Sequence, residues 1–298
     1  MVYSRTMLRK TRSDGTLLRD LPHYDQILPY LLPKRTDATI FHEQDFDVTH
    51  MLEYLRGVHE RREGPLGFFH VVLCAAVRMF ALRPRLNRFV AGYRIYQRNE
   101  ILISFTVKKV LTDDGQDIVI TIPFRPDETL STLAPKVNKI VRSAKRGASV
   151  QSDDVNVLLT KLPPLALRAA VGVLCGLDGE GLLPQSFLRT MPFWSSVFIA
   201  DVGSLGIDAP LHHPFNIGTC GLFTAVGRIR EEPAHTSGAS GHARHLVKAT
   251  FTFDERIADG VYCARSIELL RDLVEHPEQL TVPPELTPDL RAELMLKE

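Results

Sequence analysis

In the 298-residue chain, the stretch ATFTFDERIADGVYCARSIELL (Ala249 to Leu270) reads as a strand, an acidic corner and a helix. The corner holds Asp254, Glu255, Arg256, Asp259 and Gly260. Three carboxylates and a guanidinium are more than a turn requires. A carboxylate there could take a proton, pair with Arg256, or cap the following helix. Histidines are the usual alternative bases. His245 shares strand parity with Glu255, but roughly ten residues at ~3.3 Å each put it about 33 Å away. His212 and His213 stand together in the loop GSLGIDAPLHHPF, where a solvated pair is the simpler reading. Cys263 follows Gly260 by one turn on an apolar helix face, which suits core packing better than nucleophilic chemistry. No further histidine or acid stands at a metal-ligand spacing, so no metal is expected.

These residues belong to a chain of ordinary globular composition, 44% hydrophobic and 24% charged. A formal net charge of +1 supplies no overall field toward nucleic acid or acidic membranes, and neither partner is expected. Cys74, Cys175, Cys220 and Cys263 lie in apolar runs without a CxxC pair, which fits buried thiols in a reducing, cytoplasmic compartment. The basic start MVYSRTMLRKTRSDG lacks an apolar run and reads as a solvated arm. The longest apolar stretch, LPPLALRAAVGVLCGL, carries Arg168 and falls short of the ~20 residues of a membrane span.

The elements that must position the corner can be read in order. TIFHEQDFDVTHMLEYLRG is a strand running into a helix, with Asp47 or Thr49 as cap and Gly57 as terminator. GFFHVVLCAAVRMFALRP is apolar nearly all round and predicts a central buried helix. RFVAGYRIY, EILISFTVKKV and QDIVITIPF read as strands. ETLSTLAPKVNKIVRSAKRG is an amphipathic helix whose start Pro135 could delay. Residues 149–194 are poorly legible beyond one or two short helices. GLDGEG has glycines but no phosphate-loop lysine. SSVFIADV, NIGTCGLFTAVGRIR and HLVKATFTFDE are strands. The tail LTPDLRAELMLKE offers Thr287 as N-cap, Pro288 at the first helical position, and Leu290, Leu294 and Met295 as an apolar stripe. This order predicts an α+β fold, a mixed β-sheet with helices packed on it. One domain is expected over 21–280, with an N-terminal arm at 1–20 and a helical extension at 281–298.

The ordered set FHEQDFDVT, LRPRLNRF, VKKVLTDDG…IVITIPF, RSAKRG, FIADVGSLG, FTFDERIADG and EHPEQL resembles the catalytic domain of dihydrolipoamide acyltransferases of 2-oxoacid dehydrogenase complexes. Chloramphenicol acetyltransferase has the same fold. The resemblance covers roughly Leu21 to Leu280. It implies trimers, with a channel between subunits entered by coenzyme A and by the acyl carrier. It implies a histidine base in an HxxxDG corner, and a hydroxyl before the G-x-x-G loop that steadies the oxyanion from the neighbouring subunit.

The chain departs at both chemical positions. Glu255 stands where the histidine belongs, and Ala200 and Asp201 where the hydroxyl belongs. Asp259, which orders the loop, and Gly260 match the motif. Thiols, imidazoles and glutamates have reference pKa values of about 8.5, 6.5 and 4.3, so glutamate is the weaker base by about 3 kcal/mol. Burial would recover part of this. A lost oxyanion donor costs ~2.7–4 kcal/mol in a hydrolase, and a carboxylate aimed at the oxyanion would cost more. The first expectation is therefore a catalytically impaired trimeric assembly subunit. In it, Glu255 is salt-bridged to Arg256 or to an arginine across the interface, and the C-terminal stripe joins trimers into a larger cage or folds back on its own subunit. The second is a coenzyme A-dependent acyltransferase or thioester hydrolase with Glu255 as base. No covalently bound cofactor, lipoyl domain or Ala/Pro linker is expected in this chain.

Overall fold

The computed structural model describes residues 12–61, 64–108, 117–146, 160–233 and 243–297. A six-stranded mixed sheet carries the core. Its strands are β2 (Thr39–Asp47), β5 (Ile101–Lys108), β6 (Asp117–Phe124), β7 (Val197–Asp201), β8 (Leu222–Glu232) and β9 (Arg244–Asp254). They lie in the order β2-β9-β8-β7-β5-β6. β7 runs parallel to both β5 and β8, and the other pairs are antiparallel. Four helices, α2 (Thr49–Glu60), α3 (Phe68–Leu82), α4 (Leu130–Lys145) and α7 (Gly260–Glu275), supply the apolar side chains that pack on one face of this sheet. α3 touches α2, α4 and α7 and is buried from Val71 to Ala81 apart from Val72, the placement its all-round apolar sequence demands.

RFVAGYRIY forms two strands, β3 (Arg88–Ala91) and β4 (Arg94–Arg98). Gly92 and Tyr93, at φ 54° and 61°, make the two-residue turn with both residues left-handed that suits the twist of a hairpin. A third strand, β1 (Gly15–Leu17), pairs with β4. Part of the expected free arm is thus built into the fold, and it is anchored there by charge. The buried Arg12 donates to Asp14 (2.8 Å) and to Asp178 (2.6 Å).

Asp178 belongs to GLDGEG, which is the end of α5 (Pro164–Gly179) and the turn after it. The carboxylate also accepts the indole N–H of Trp194 at 3.0 Å, so this loop ties the chain before β1 to the chain before β7. A short α6 (Gln185–Thr190) follows; residues 149–159 of the poorly legible stretch lie outside the described residues.

Three local expectations change. α2 runs through Gly57 to Glu60, because a single glycine costs only ~1 kcal/mol inside a helix that is otherwise packed. Val48 stands at its N-cap position, and the carboxylate of the preceding Asp47 accepts from the Thr49 amide at 3.1 Å. α4 starts at Leu130 despite Pro135, with the Thr129 amide capped by the Thr132 hydroxyl at 3.0 Å. Cys74 and Cys263 are buried, but Cys175 is exposed and Cys220 half-buried; all four thiols are free.

The C-terminal extension folds back on its own subunit. α8 (Pro288–Leu294) is capped by the Thr287 hydroxyl, which accepts from the Leu290 amide at 3.3 Å. Of the predicted docking stripe, Leu294 is 2% exposed within this chain. Leu290 is half-buried and Met295 is exposed. Glu293 pairs with Arg85 and Arg88, and the Lys297 amide donates to the Asn99 carbonyl. Leu294 is therefore committed to its own core and cannot dock elsewhere without unpacking. Leu294→Ala is expected to cost ~2–5 kcal/mol, read from the urea midpoint. An unchanged midpoint would place this side chain at a contact between copies instead.

Candidate functional site

The corner is built on a buried ion pair. Asp254 ends β9, where its amide donates to the Gly221 carbonyl at 3.0 Å. The Arg256 side chain turns back on it, with Nε and one terminal nitrogen 2.7 and 2.6 Å from the two carboxylate oxygens. The other terminal nitrogen donates to the carbonyls of Leu32 (2.9 Å) and Pro33 (3.3 Å), just after α1 (His23–Leu31). Arg35 approaches from a second side, its Nε 3.5 Å from Asp254. Its terminal nitrogens donate to the carbonyls of Phe215 and Gly218. One carboxylate thus ties the corner to the chain after α1 and, through Arg35, to the loop before β8. Asp254, Arg256 and Arg35 are all buried. Burial pulls the Arg35 guanidinium below its usual range, and Asp254 opposes that shift.

Glu255 does not join this pair. Its amide donates to the Ala38 carbonyl at 2.9 Å, while its half-buried carboxylate has no ion pair or side-chain hydrogen bond among the described residues. The expected bridge between Glu255 and Arg256 is therefore absent within the chain. The reason is geometric: Asp254 offers both oxygens to the planar guanidinium in a fork, the stronger arrangement, and backbone carbonyls take the rest. Asp259 is exposed and caps α7, accepting from the Tyr262 amide at 2.8 Å. Gly260 is exposed, and a Cβ there would meet nothing within 4 Å. Its lack of a side chain is thus not required by packing inside this subunit. Burial pushes the Cys263 thiol up to about 12, which keeps it protonated and fits the core reading.

Ala200 and Asp201 point to opposite faces of β7. Asp201 pairs in register with Val226, a core residue on the helix side, while Ala200 pairs with Ala225 on the other face, beside Phe198, Phe223 and Ala209. Burial pushes the Asp201 carboxyl up, and the amides of Ser204 and Gly203 oppose this. The carboxylate therefore does not share the face of Ala200.

That face is overlaid by the loop carrying His212. Thr250 and Thr252 of β9 donate to the carbonyls of Pro210 (2.7 Å) and His212 (2.5 Å). The His212 ring stacks on Phe223 at 4.0 Å between centroids, and Phe223 stacks on Phe198 at 5.2 Å. His213 is exposed. His245 lies at the far end of β9, where its amide donates to the Thr49 hydroxyl. Sequence reading missed Arg35, which nothing marked beyond its type, and the seating of His212, because loop paths leave no period in a sequence. No group of three or more histidine, cysteine or acidic side chains that could hold a metal occurs among the described residues.

Residues 196–282 match the sequence model of the 2-oxoacid dehydrogenases acyltransferase catalytic domain. No curated protein matches the chain. A probable dihydrolipoamide acetyltransferase from Listeria monocytogenes superposes with TM-score 0.54 at 15% identity, covering 87% of this chain and 94% of that one. The cubic core of a pyruvate dehydrogenase multienzyme complex gives 0.56 at 18%, over 88% and 93%. A chloramphenicol acetyltransferase gives 0.54 at 9%, over 87% and 99%. The chain has the chloramphenicol acetyltransferase-like fold of these acyltransferase cores, and the matched segment contains both the Ala200 strand and the Glu255 corner.

Proposed function

From an acyltransferase-like domain with this fold, we propose that the chain assembles as a trimer and transfers acyl groups between a thioester and a thiol. Coenzyme A is one carrier, and the reaction takes place in a channel between subunits. One observation carries this reading: Glu255, at the position of the motif base, has no ion pair or side-chain hydrogen bond among the described residues, while Asp254 and Arg256 satisfy each other behind it. A residue kept only for the turn would gain more by pairing. An unpaired carboxylate stays available to accept a proton, directly or through a neighbouring base.

The competing reading is an impaired assembly subunit. Asp201 lies away from the Ala200 face, so it need not oppose a developing oxyanion. Leu294 packs inward, which weakens the case for a cage held by the tail. Gly260 opens onto surface, where a neighbouring copy could approach the backbone closely. The missing hydroxyl at Ala200 remains a cost, about 2.7–4 kcal/mol by analogy with a hydrolase donor, so turnover should be slow.

Acyl exchange between a panel of acyl-coenzyme A thioesters and a small dithiol tests the proposal, with the mass of the assembly measured by light scattering. Glu255→Gln is expected to lower kcat/KM by roughly 10²-fold or more. Equal rates for the two proteins would remove Glu255 from the reaction, and no exchange by a folded trimer would favour the assembly reading.

A further inference from the structure

We infer that His212 is the proton-accepting base of this site, relocated from the strand–helix corner to the loop over the sheet. The inference rests on the acyl-transfer reading above and names the group that reading lacks. The loop bearing His212 is seated on the sheet rather than free. Its backbone is fixed by the hydroxyls of Thr250 and Thr252, and its ring lies flat on Phe223, with 7° between the planes. Phe223 and Phe198 flank Ala200 on the same face of the sheet. An imidazole is thereby held on the face of β7 that carries Ala200.

The tautomer follows from the hydrogen bonds. His212 Nδ1 lies 2.8 Å from the His213 carbonyl oxygen. A carbonyl only accepts, so Nδ1 carries the proton and donates. The lone pair is then on Nε2, which has no hydrogen-bond partner among the described residues. This is the form a general base needs, with the second nitrogen fixing ring and tautomer. The stack keeps the half-buried ring from turning.

The step balances without another reagent. Nε2 takes the proton of the incoming thiol as its sulfur bonds to the thioester carbonyl carbon. The tetrahedral intermediate then collapses. The carbon–sulfur bond to the original carrier breaks, and that thiolate recovers the proton from Nε2. His212 would then supply the imidazole that the corner lacks, since Glu255 stands at the motif position.

The test uses the full-length protein. His212→Phe keeps an aromatic ring to stack on Phe223 and removes the base; His213→Phe is the control. The expected result is a loss of roughly 10²–10⁴-fold in kcat/KM for His212→Phe, with little change for His213→Phe and unchanged thermal midpoints. Diethyl pyrocarbonate, followed by peptide mass mapping, should modify His212 in the wild type, and coenzyme A should protect it. Full activity in His212→Phe while Glu255→Gln is impaired would overturn this inference and leave acyl transfer standing. No exchange and no coenzyme A protection in the wild type would overturn both. Unprotected His212 in an active enzyme would also overturn the assignment.

Discussion

Replacing Asp254 with asparagine is expected to remove about 3–5 kcal/mol of folding stability, the usual consequence of leaving a buried charge without its partner. Asp254 is 1% exposed and receives a fork from Arg256 and the approach of Arg35. Asparagine keeps the shape but leaves two buried guanidiniums facing a neutral amide. For a protein whose whole stability is of order 5–15 kcal/mol, this loss should bring the urea midpoint down by about a fifth or more. Removing both partners, as Asp254→Leu with Arg256→Met, should cost less than the single change, because only the Arg35 guanidinium is then left without the carboxylate. A single mutant within 1 kcal/mol of wild type would mean that the pair is not the structural centre of the corner. Removing this carboxylate should also loosen the loop before β8, since Arg35 spans Asp254 and Gly218. Activity losses at Asp254 would therefore be structural in origin and say nothing of chemistry.

The second large effect is expected at Gly218. Its φ is +79°, a conformation that strains other residues by about 1–3 kcal/mol. A Cβ there would also sit 2.2 Å from the Phe193 carbonyl oxygen. The obstacle is backbone, so no side chain can swing aside. Overpacking of this kind adds ~1–3 kcal/mol. Gly218→Ala should therefore lower stability by about 2–6 kcal/mol, checked by thermal unfolding. The turn also presents the Thr219 carbonyl and hydroxyl to Arg98 at 3.1 and 2.9 Å, so the damage should spread to that buried guanidinium. A midpoint unchanged within a degree would show that the turn has slack not visible in the fold.

The secondary structure around the site was largely legible because its signals are local. The alternation in HLVKATFTFDE, the Asp259 cap and the apolar face of α7 each follow from neighbours along the chain. The α+β class, a mixed sheet with helices packed on it, followed from element order. What could not be read was set by contacts distant in sequence. RFVAGYRIY looks like one strand until a two-residue turn divides it. Glu255 and Asp254 are adjacent acids, and only the folded corner decides which of them receives Arg256. The tail's helix was legible, but of its apolar stripe only Leu294 is buried within this chain, and Met295 lies past the helix end. Ala200 and Asp201 were ambiguous by one residue of register, and the pairing with Ala225 and Val226 resolves which face each takes. His212 was the least legible, since its position depends on two threonine hydroxyls and a phenylalanine ring supplied by other strands.

The central claim is that copies of this chain enclose a channel, lined by Glu255, that admits a thiol carrier. Titration calorimetry of coenzyme A into the assembled protein tests it most directly. The account predicts saturable binding with one site per subunit. Absence of binding by a folded trimer, at concentrations up to several millimolar, would contradict it.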